Sequence, residues 1–123
     1  IEQKTYDLVK KHGMEKYIVY SSFWAESVKK MKEIDTACET GMLAGRLSDC
    51  IKWGDYAKTD ALHPDIGELD CELPKRWQGK PVRAWNGIEK LYHNNNRTTK
   101  QDLREFALWG VTDIFTNVAD KYL

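Results

Sequence analysis

Residues 17–35, YIVYSSFWAESVKKMKEID, join a strand pattern to a helix pattern and decide the class of fold. The first seven residues are a β-branched and aromatic run without alternation, which is typical of a strand buried on both faces, as in a parallel sheet. The rest carries apolar residues at helical spacing opposite a lysine-rich face: Ala25, Val28, Met31 and Ile34. A buried strand followed by an amphipathic helix is the unit of an α/β fold.

The same strand and helix alternation continues along the chain. Further strands are predicted at 39–45 (ETGMLAG), 60–64 (DALHP), 81–86 (PVRAWN) and 111–117 (VTDIFTN). The last contains Asp113, Ile114 and Phe115, for which we expect a short buried strand. Four or five such βα units in this order predict an α/β architecture with a parallel sheet.

Of three more segments, 1–11 is predicted to be helical, 46–59 to be helical or irregular, and 98–110 to be helical. The third can be capped by Thr98 or Thr99, and its apolar face is expected to consist of Leu103, Phe106, Ala107 and Leu108. The first begins at Ile1 without an N-cap residue or an initiator methionine, so we expect that upstream sequence has been removed.

Length and composition restrict the class of protein. A chain of 123 residues holds one domain, and 19 basic against 19 acidic residues give a formal net charge of zero. That balance gives no electrostatic reason to propose nucleic acid or an anionic membrane as a partner. The sequence shows no membrane span and no signal peptide, so we interpret the chain as soluble, with the cytoplasm favoured but the compartment left open.

The cysteines and acidic residues give no pattern of a metal site. The three cysteines have no CxxC spacing and lie apart from the histidines, so buried or idle thiols are favoured over ligands or a nucleophile. Asp65, Glu68 and Asp70 lack the spacing of a calcium loop and are interpreted as solvated surface. The chain also has no phosphate-cradling glycine loop, no HExxH and no GxSxG, so a self-sufficient hydrolase is hard to assemble from it.

Polar and aromatic residues recur where the predicted strands end. They are Ser21, Ser22, Phe23, His63, Trp85, Asn86, Thr116 and Asn117. Ligands of α/β proteins lie beyond the carboxyl ends of the strands, but serine, threonine and asparagine are also the usual helix caps, so both roles stay open. Trp85 is equally suited to a core position and to a pocket wall. For His63, a satisfied structural histidine is favoured over a catalytic one.

The ordered set of motifs resembles the second half of the glycerophosphodiester phosphodiesterase family. The resemblance rests on YIVYSSF, KKMKEID, TGMLAG, DALHP, VRAWN and LWGVTDIFTNVADKYL, which follow the order and spacing of that family's later strands and helices. A phospholipase D of the related venom type is a weaker alternative that shares the Thr-Asn ending. The resemblance implies a TIM barrel, of which this single partial domain, residues 1–123, would be the C-terminal half.

The resemblance also implies an activity, hydrolysis of glycerophosphodiesters to glycerol 3-phosphate and an alcohol with a divalent cation, Ca²⁺ or Mg²⁺. The family's two histidines and its metal-binding carboxylates belong to the first half of the barrel, so the resemblance assigns no catalytic residue and no metal ligand here. It implies substrate contacts for the second-half positions Ser22, Phe23, Trp85, Thr116 and Asn117. Asn86, where threonine is usual, and an asparagine-rich insertion at 92–98 depart from the family pattern.

Half a barrel leaves open strand edges, which invite pairing with another chain. Three ways of closing it are considered: the chain is part of a full enzyme, two copies close on each other, or it is a truncated homologue that binds a phosphodiester or polyol without cutting it. The expected partners are therefore a glycerophosphodiester, together with the missing N-terminal half-barrel or a second copy.

Overall fold

A computed structural model describes residues 1–85 and 104–116 in full, together with the backbone of 100–103. The helices are α1 (Glu2–Lys11), α2 (Ala25–Ile34), α3 (Leu47–Ala57) and α4 (Lys100–Leu108). The strands are β1 (Val19–Ser22), β2 (Glu39–Ala44), β3 (Ala61–Pro64), β4 (Arg83–Trp85) and β5 (Asp113–Phe115). The predicted strands are thus all present, although each is shorter than the segment that predicted it.

The five strands follow chain order in two parallel sheets, one of β1, β2 and β3 and one of β4 and β5. β1 pairs with β2 and β2 with β3, while β4 pairs with β5. Two parallel bridges, Leu62 to Val82 and Asp65 to Trp85, join β3 to β4. The prediction of an α/β architecture with parallel sheets is confirmed at this level.

Helices α2 and α3 cover one face of these strands. Around α3, a buried cluster contains Leu47, Cys50, Ile51, Leu62, Trp77 and Val82. Under α2, Val28 packs with Met42 of β2 and Ala57 of α3. Each helix therefore buries its apolar stripe against the strands, as its spacing of apolar residues predicts.

The first and last strands are more exposed than predicted. In β1, Val19 is 37% exposed and Ser21 is also exposed. In β5, Asp113 and Phe115 are exposed and only Ile114 is half-buried. The expectation of buried strands is wrong at both places, because within the described residues β1 and β5 each have a strand on one side only.

The first and last helices are more exposed than α2 and α3, which corrects the expectation for α4. Helix α1 buries no residue. In α4, the predicted apolar face is not buried: Leu108 is 89% exposed, Ala107 is exposed and Phe106 is half-buried. The predicted caps of α4, Thr98 and Thr99, lie outside the described residues.

The cysteines are free thiols, and Cys38 and Cys50 are buried while Cys71 is half-buried. Burial raises the pKa of the Cys50 thiol to about 12, which keeps it protonated and inert. No helix in the described part of the chain has the length and apolar character needed to cross a membrane.

Candidate functional site

The strand register sorts the side chains onto two faces of the sheet. The face that packs on α2 and α3 carries Met42 and Leu62. Alternation along each strand sends the neighbouring residues to the opposite face, which we call the inner face. Its members are Val19, Ser21, Glu39, Gly41, Leu43, Ala61, His63, Arg83, Trp85, Asp113 and Phe115.

Three aromatic side chains gather where the strands end, and we call them the aromatic group: Phe23, Trp85 and Phe115. The rings of Phe23 and Trp85 meet edge to face with centroids 6.0 Å apart. Trp85 is fixed because its Nε1 donates a hydrogen bond of 2.9 Å to the carbonyl oxygen of His63. Phe23 follows β1 and Trp85 ends β4, so the curvature of the sheet brings together two residues predicted to contact substrate.

The other predicted contacts are placed differently. Ser22 pairs with Met42, so alternation directs its side chain toward the helices, and its Oγ accepts a hydrogen bond of 3.1 Å from the Trp24 amide. Thr116 is half-buried directly after β5. Asn117 and Asn86 lie outside the described residues. Contact of Ser22, Thr116 and Asn117 with substrate stays a prediction.

His63 is the most buried polar residue of the inner face. Its side chain is 1% exposed and lies directly over Gly41 of the neighbouring strand. Neither Nδ1 nor Nε2 has a hydrogen-bond partner among the described residues. The expectation that the ring is satisfied is not met within the described residues, where both nitrogens are unpaired, and the choice between a structural and a catalytic histidine stays a prediction.

The electrostatic environment keeps His63 neutral. Burial lowers the pKa of its imidazole from the ordinary value of 6.5 to about 4, and the Arg83 guanidinium acts in the same direction while Glu39 opposes it. Desolvation dominates because a charged ring would lose its hydration without gaining a partner. At neutral pH His63 therefore offers one N–H donor and one nitrogen acceptor.

An ion pair crosses the inner face below His63. Arg83 of β4 pairs with Glu39 of β2, and its Nε lies 3.7 Å from Oδ2 of Asp113 on β5. The fully buried Ala61 of β3 leaves room for the pair to span the strand between. No sequence pattern indicated these residues, because each is a single charge within or beside an apolar segment.

The loop after β3 corrects another expectation. Asp65 is only 9% exposed, and its Oδ1 accepts a hydrogen bond of 2.8 Å from the Gly67 amide. It pairs with Trp85 in the bridge between β3 and β4. The interpretation of Asp65 as solvated surface is wrong, whereas Asp70 is exposed and accepts hydrogen bonds from Ser48.

Side chains that could bind a metal ion do not cluster in the described part of the chain. Among residues 1–85 and 104–116, no three histidine, cysteine, aspartate or glutamate side chains come together in a way that could hold a metal ion. The described residues alone therefore supply no ligand set for the divalent cation that the family resemblance implies.

The comparisons with known proteins bear on the fold. No protein-family model and no curated protein matches this chain. Among solved structures, the chain is similar to the crystal structure of a "putative glycerophosphodiester phosphodiesterase from Galdieria sulphuraria", with a TM-score of 0.71 and 17% sequence identity. The match covers 98% of this chain and 48% of the other, so this chain spans about half the length of that neighbour. At such low identity the likeness shows a shared fold.

Proposed function

We propose that this chain is the C-terminal half of a TIM barrel and part of a phosphoric diester hydrolase. The reaction would convert glycerophosphodiesters to glycerol 3-phosphate and an alcohol, with the catalytic half supplied by polypeptide outside this chain. The observation that carries the proposal is the aromatic group at the carboxyl ends of five parallel strands in sequential order. Barrel enzymes place their substrate sites at that end, and the likeness to half of the Galdieria protein supports the same architecture.

Within this proposal the chain supplies a surface that binds the substrate, and it does not supply the residues that act as general acid and general base. Trp85 and Phe23 form apolar walls that exclude water from the carbon skeleton of the glycerol and of the leaving alcohol. The hydrogen bond from Trp85 Nε1 to the His63 carbonyl holds the indole in place. A divalent cation, Ca²⁺ or Mg²⁺, would be held by ligands from the missing half.

A paired assay tests the proposal. The purified chain is incubated with glycerophosphocholine and Ca²⁺ or Mg²⁺, alone and together with a separately expressed N-terminal half-barrel of a glycerophosphodiester phosphodiesterase. We expect glycerol 3-phosphate only in the mixture, with a large loss when the chain carries Trp85→Ala. Trp53→Ala, which removes an exposed tryptophan of α3, is the matched control.

Two results would contradict the proposal. Release of glycerol 3-phosphate by the chain alone, persisting through purification, would refute a missing catalytic half. Failure of both the mixture and the chain alone to bind glycerophosphocholine in isothermal titration calorimetry would refute the substrate.

A second candidate is a non-catalytic half-barrel that self-associates or binds a phosphodiester or polyol. The favouring observation is the exposure of two members of the aromatic group, since Phe23 is 59% and Phe115 is 46% exposed. Within the described residues β1 and β5 each pair on one side only, and such edges beside exposed aromatic rings favour association with another copy. Light scattering over a range of concentrations tests this candidate, and a monomer at every concentration would exclude closure by a second copy.

A further inference from the structure

The imidazole of His63 is a buried polar group without an evident role in the fold. It is 1% exposed, and neither ring nitrogen finds a partner in the part of the chain that the structure describes. A buried donor or acceptor without a partner costs free energy, so native proteins pair such groups with protein, water or ligand. The geometry around the ring indicates which of these it meets.

The imidazole of His63 packs against Gly41 of the neighbouring strand, where no side chain is present. A β-carbon at Gly41 would lie 2.5 Å from Nε2 and 2.6 Å from Nδ1 of His63, so only glycine leaves space for the imidazole there. Glycine at position 41 thus leaves the space that the imidazole occupies, although the ring makes no hydrogen bond within the described residues. Close packing fixes the imidazole, while its two nitrogens have no hydrogen-bond partner within the described residues.

The ring is covered from above by the aromatic group. Phe115 meets the imidazole edge to face with centroids 5.2 Å apart, and Trp85 bonds to the backbone of the same histidine. Phe115 is 46% exposed at the end of β5, so its side chain can rotate outward with little loss of packing. That rotation would open the imidazole toward the carboxyl end of the strands, where the proposed substrate lies.

The charge on this face limits the chemistry of a ligand that reaches His63. The nearby cation, Arg83, is already paired with Glu39 and lies beside Asp113. The imidazole itself is neutral and presents one donor and one acceptor. A hydroxyl group can pair with either ring nitrogen, because it can accept from the N–H or donate to the bare nitrogen, whereas an anion could use only the N–H.

We propose that His63 binds a hydroxyl of the polyol part of the ligand, beneath the aromatic group and with Phe115 rotated away. The inference rests on the proposed function, because that function supplies the glycerol moiety. His63 is then a specificity residue that selects ligands with a hydroxyl at this position. A site built to hydrogen-bond a hydroxyl discriminates strongly against the analogue that lacks it, since its own polar group is left unpaired.

Matched ligands test the inference. Glycerol 3-phosphate is compared with propane-1,2-diol 1-phosphate and propane-1,3-diol phosphate, each of which lacks one hydroxyl and keeps the phosphate. In isothermal titration calorimetry we expect at least one of the two analogues to bind roughly tenfold or more weakly than glycerol 3-phosphate, the scale of one lost hydrogen bond. In His63→Phe this discrimination disappears, and in His12→Phe, which replaces an exposed histidine, it is kept.

Ring nitrogen NMR gives a second measurement on the unaltered chain, which is decisive if His63→Phe does not fold. Glycerol 3-phosphate is expected to shift the Nδ1 and Nε2 resonances of His63 and to leave those of His12 in place. Binding with equal affinity for all three ligands, or with unmoved His63 resonances, would overturn the inference and leave the proposed function standing. Absence of binding by any of the three would overturn both.

Discussion

At Gly41, a single hydrogen atom in place of a side chain determines how His63 packs. We predict that Gly41→Ala destabilises the fold by about 1 to 3 kcal/mol, because its β-carbon would overlap the imidazole and force ring or strand to move. Urea denaturation measures the change. Gly45→Ala is the control, since there the nearest atom, Oε2 of Glu68, is 3.4 Å away. A loss as small at Gly41 as at Gly45 would contradict the packing described.

The same histidine makes the stability of the fold depend on pH. Its pKa is lowered to about 4 in the folded chain, against 6.5 ordinarily, so between these values the unfolded chain binds a proton that the folded chain does not. Titration of His63 therefore leaves the free energy of unfolding unchanged above pH 6.5 and lowers it as the pH falls toward 4. The loss amounts to about 3 kcal/mol, taking each pKa unit as 1.36 kcal/mol.

Comparison of the native sequence with His63→Phe separates the pH dependence that comes from His63 from the pH dependence that comes from the carboxylates. The groups on the inner face that also influence it are Arg83, Glu39 and Asp113. Unfolding free energies of the native sequence and of His63→Phe, measured between pH 7 and pH 4, are expected to differ in slope, with the steeper fall in the native sequence. Parallel slopes would show that His63 is protonated normally in the fold.

Sequence reasoning identified some of these residues and missed others for physical reasons. Phe23 and Trp85 could be predicted as neighbours, because large aromatic side chains at strand ends converge in an α/β fold. The pairing of Arg83 with Glu39 could not, since it joins two strands 44 positions apart and depends on the small Ala61 between them. The unpaired state of His63 depends on three-dimensional packing that no local pattern encodes.

At the scale of elements, α3 ends on a residue that is not suited to its conformation. Lys58 adopts the left-handed conformation, with φ 54°, at the C-cap. Glycine populates this region without a β-carbon penalty, so Lys58→Gly is predicted to stabilise the fold by about 0.5 to 1 kcal/mol. Thermal unfolding measures the effect. Lys52→Gly, in the middle of the same helix, is the control and is expected to destabilise by about 1 kcal/mol.

A carboxylate ties α2 to the amino ends of two strands. Oδ2 of Asp60 accepts hydrogen bonds from Lys32 Nζ at 2.7 Å, from the Thr40 amide at 2.8 Å and from Thr40 Oγ1 at 3.0 Å. Burial acts to raise the pKa of Asp60, but the hydrogen bonds from Lys32 and Thr40 outweigh it and hold the pKa below 3.8.

Removal of that carboxylate is predicted to weaken the connection. Asp60→Ala should cost about 1 to 2 kcal/mol of unfolding free energy, a value reduced by the partial exposure of the pair to solvent. Chemical denaturation near neutral pH checks this. Glu33→Ala on the exposed side of α2 is the control and should change stability by less than about 0.5 kcal/mol. Equal effects of the two changes would contradict a clamp at Asp60.

Element predictions from sequence succeeded where burial is local and failed where it depends on neighbours. The helical spacing of α2 and the apolar segment of β3 were sufficient to predict which residues are buried. In both cases the elements that pack against them, α1 and α3 for α2 and β2 and β4 for β3, lie nearby in the chain. The apolar composition of β1 and β5 gave a false expectation of burial. A strand reaches that state only when another strand lies on each side of it.

At the scale of the whole molecule, β1 and β5 each pair on one side only within the described residues, and Phe23 and Phe115 are exposed. Additional strands would cover both features. If a second copy closes the structure, thermal stability should rise with protein concentration, because association stabilises the folded state by mass action. A lysine on the edge strand opposes such pairing. Val19→Lys, which places a charge on β1, is therefore expected to abolish association and to leave the monomer's stability nearly unchanged.

Sedimentation equilibrium combined with melting curves at two concentrations distinguishes closure of the sheet by a second copy from non-specific association. Tyr17→Lys, which adds the same charge at an exposed position before β1, should leave association intact. Closure by a second copy requires that Val19→Lys alone removes both the dimer and the concentration dependence of Tm, since only Val19 pairs directly within the sheet, opposite Glu39. If both lysines act alike, association arises from the exposed aromatic surface, and the strand edge must be covered by polypeptide other than a second copy.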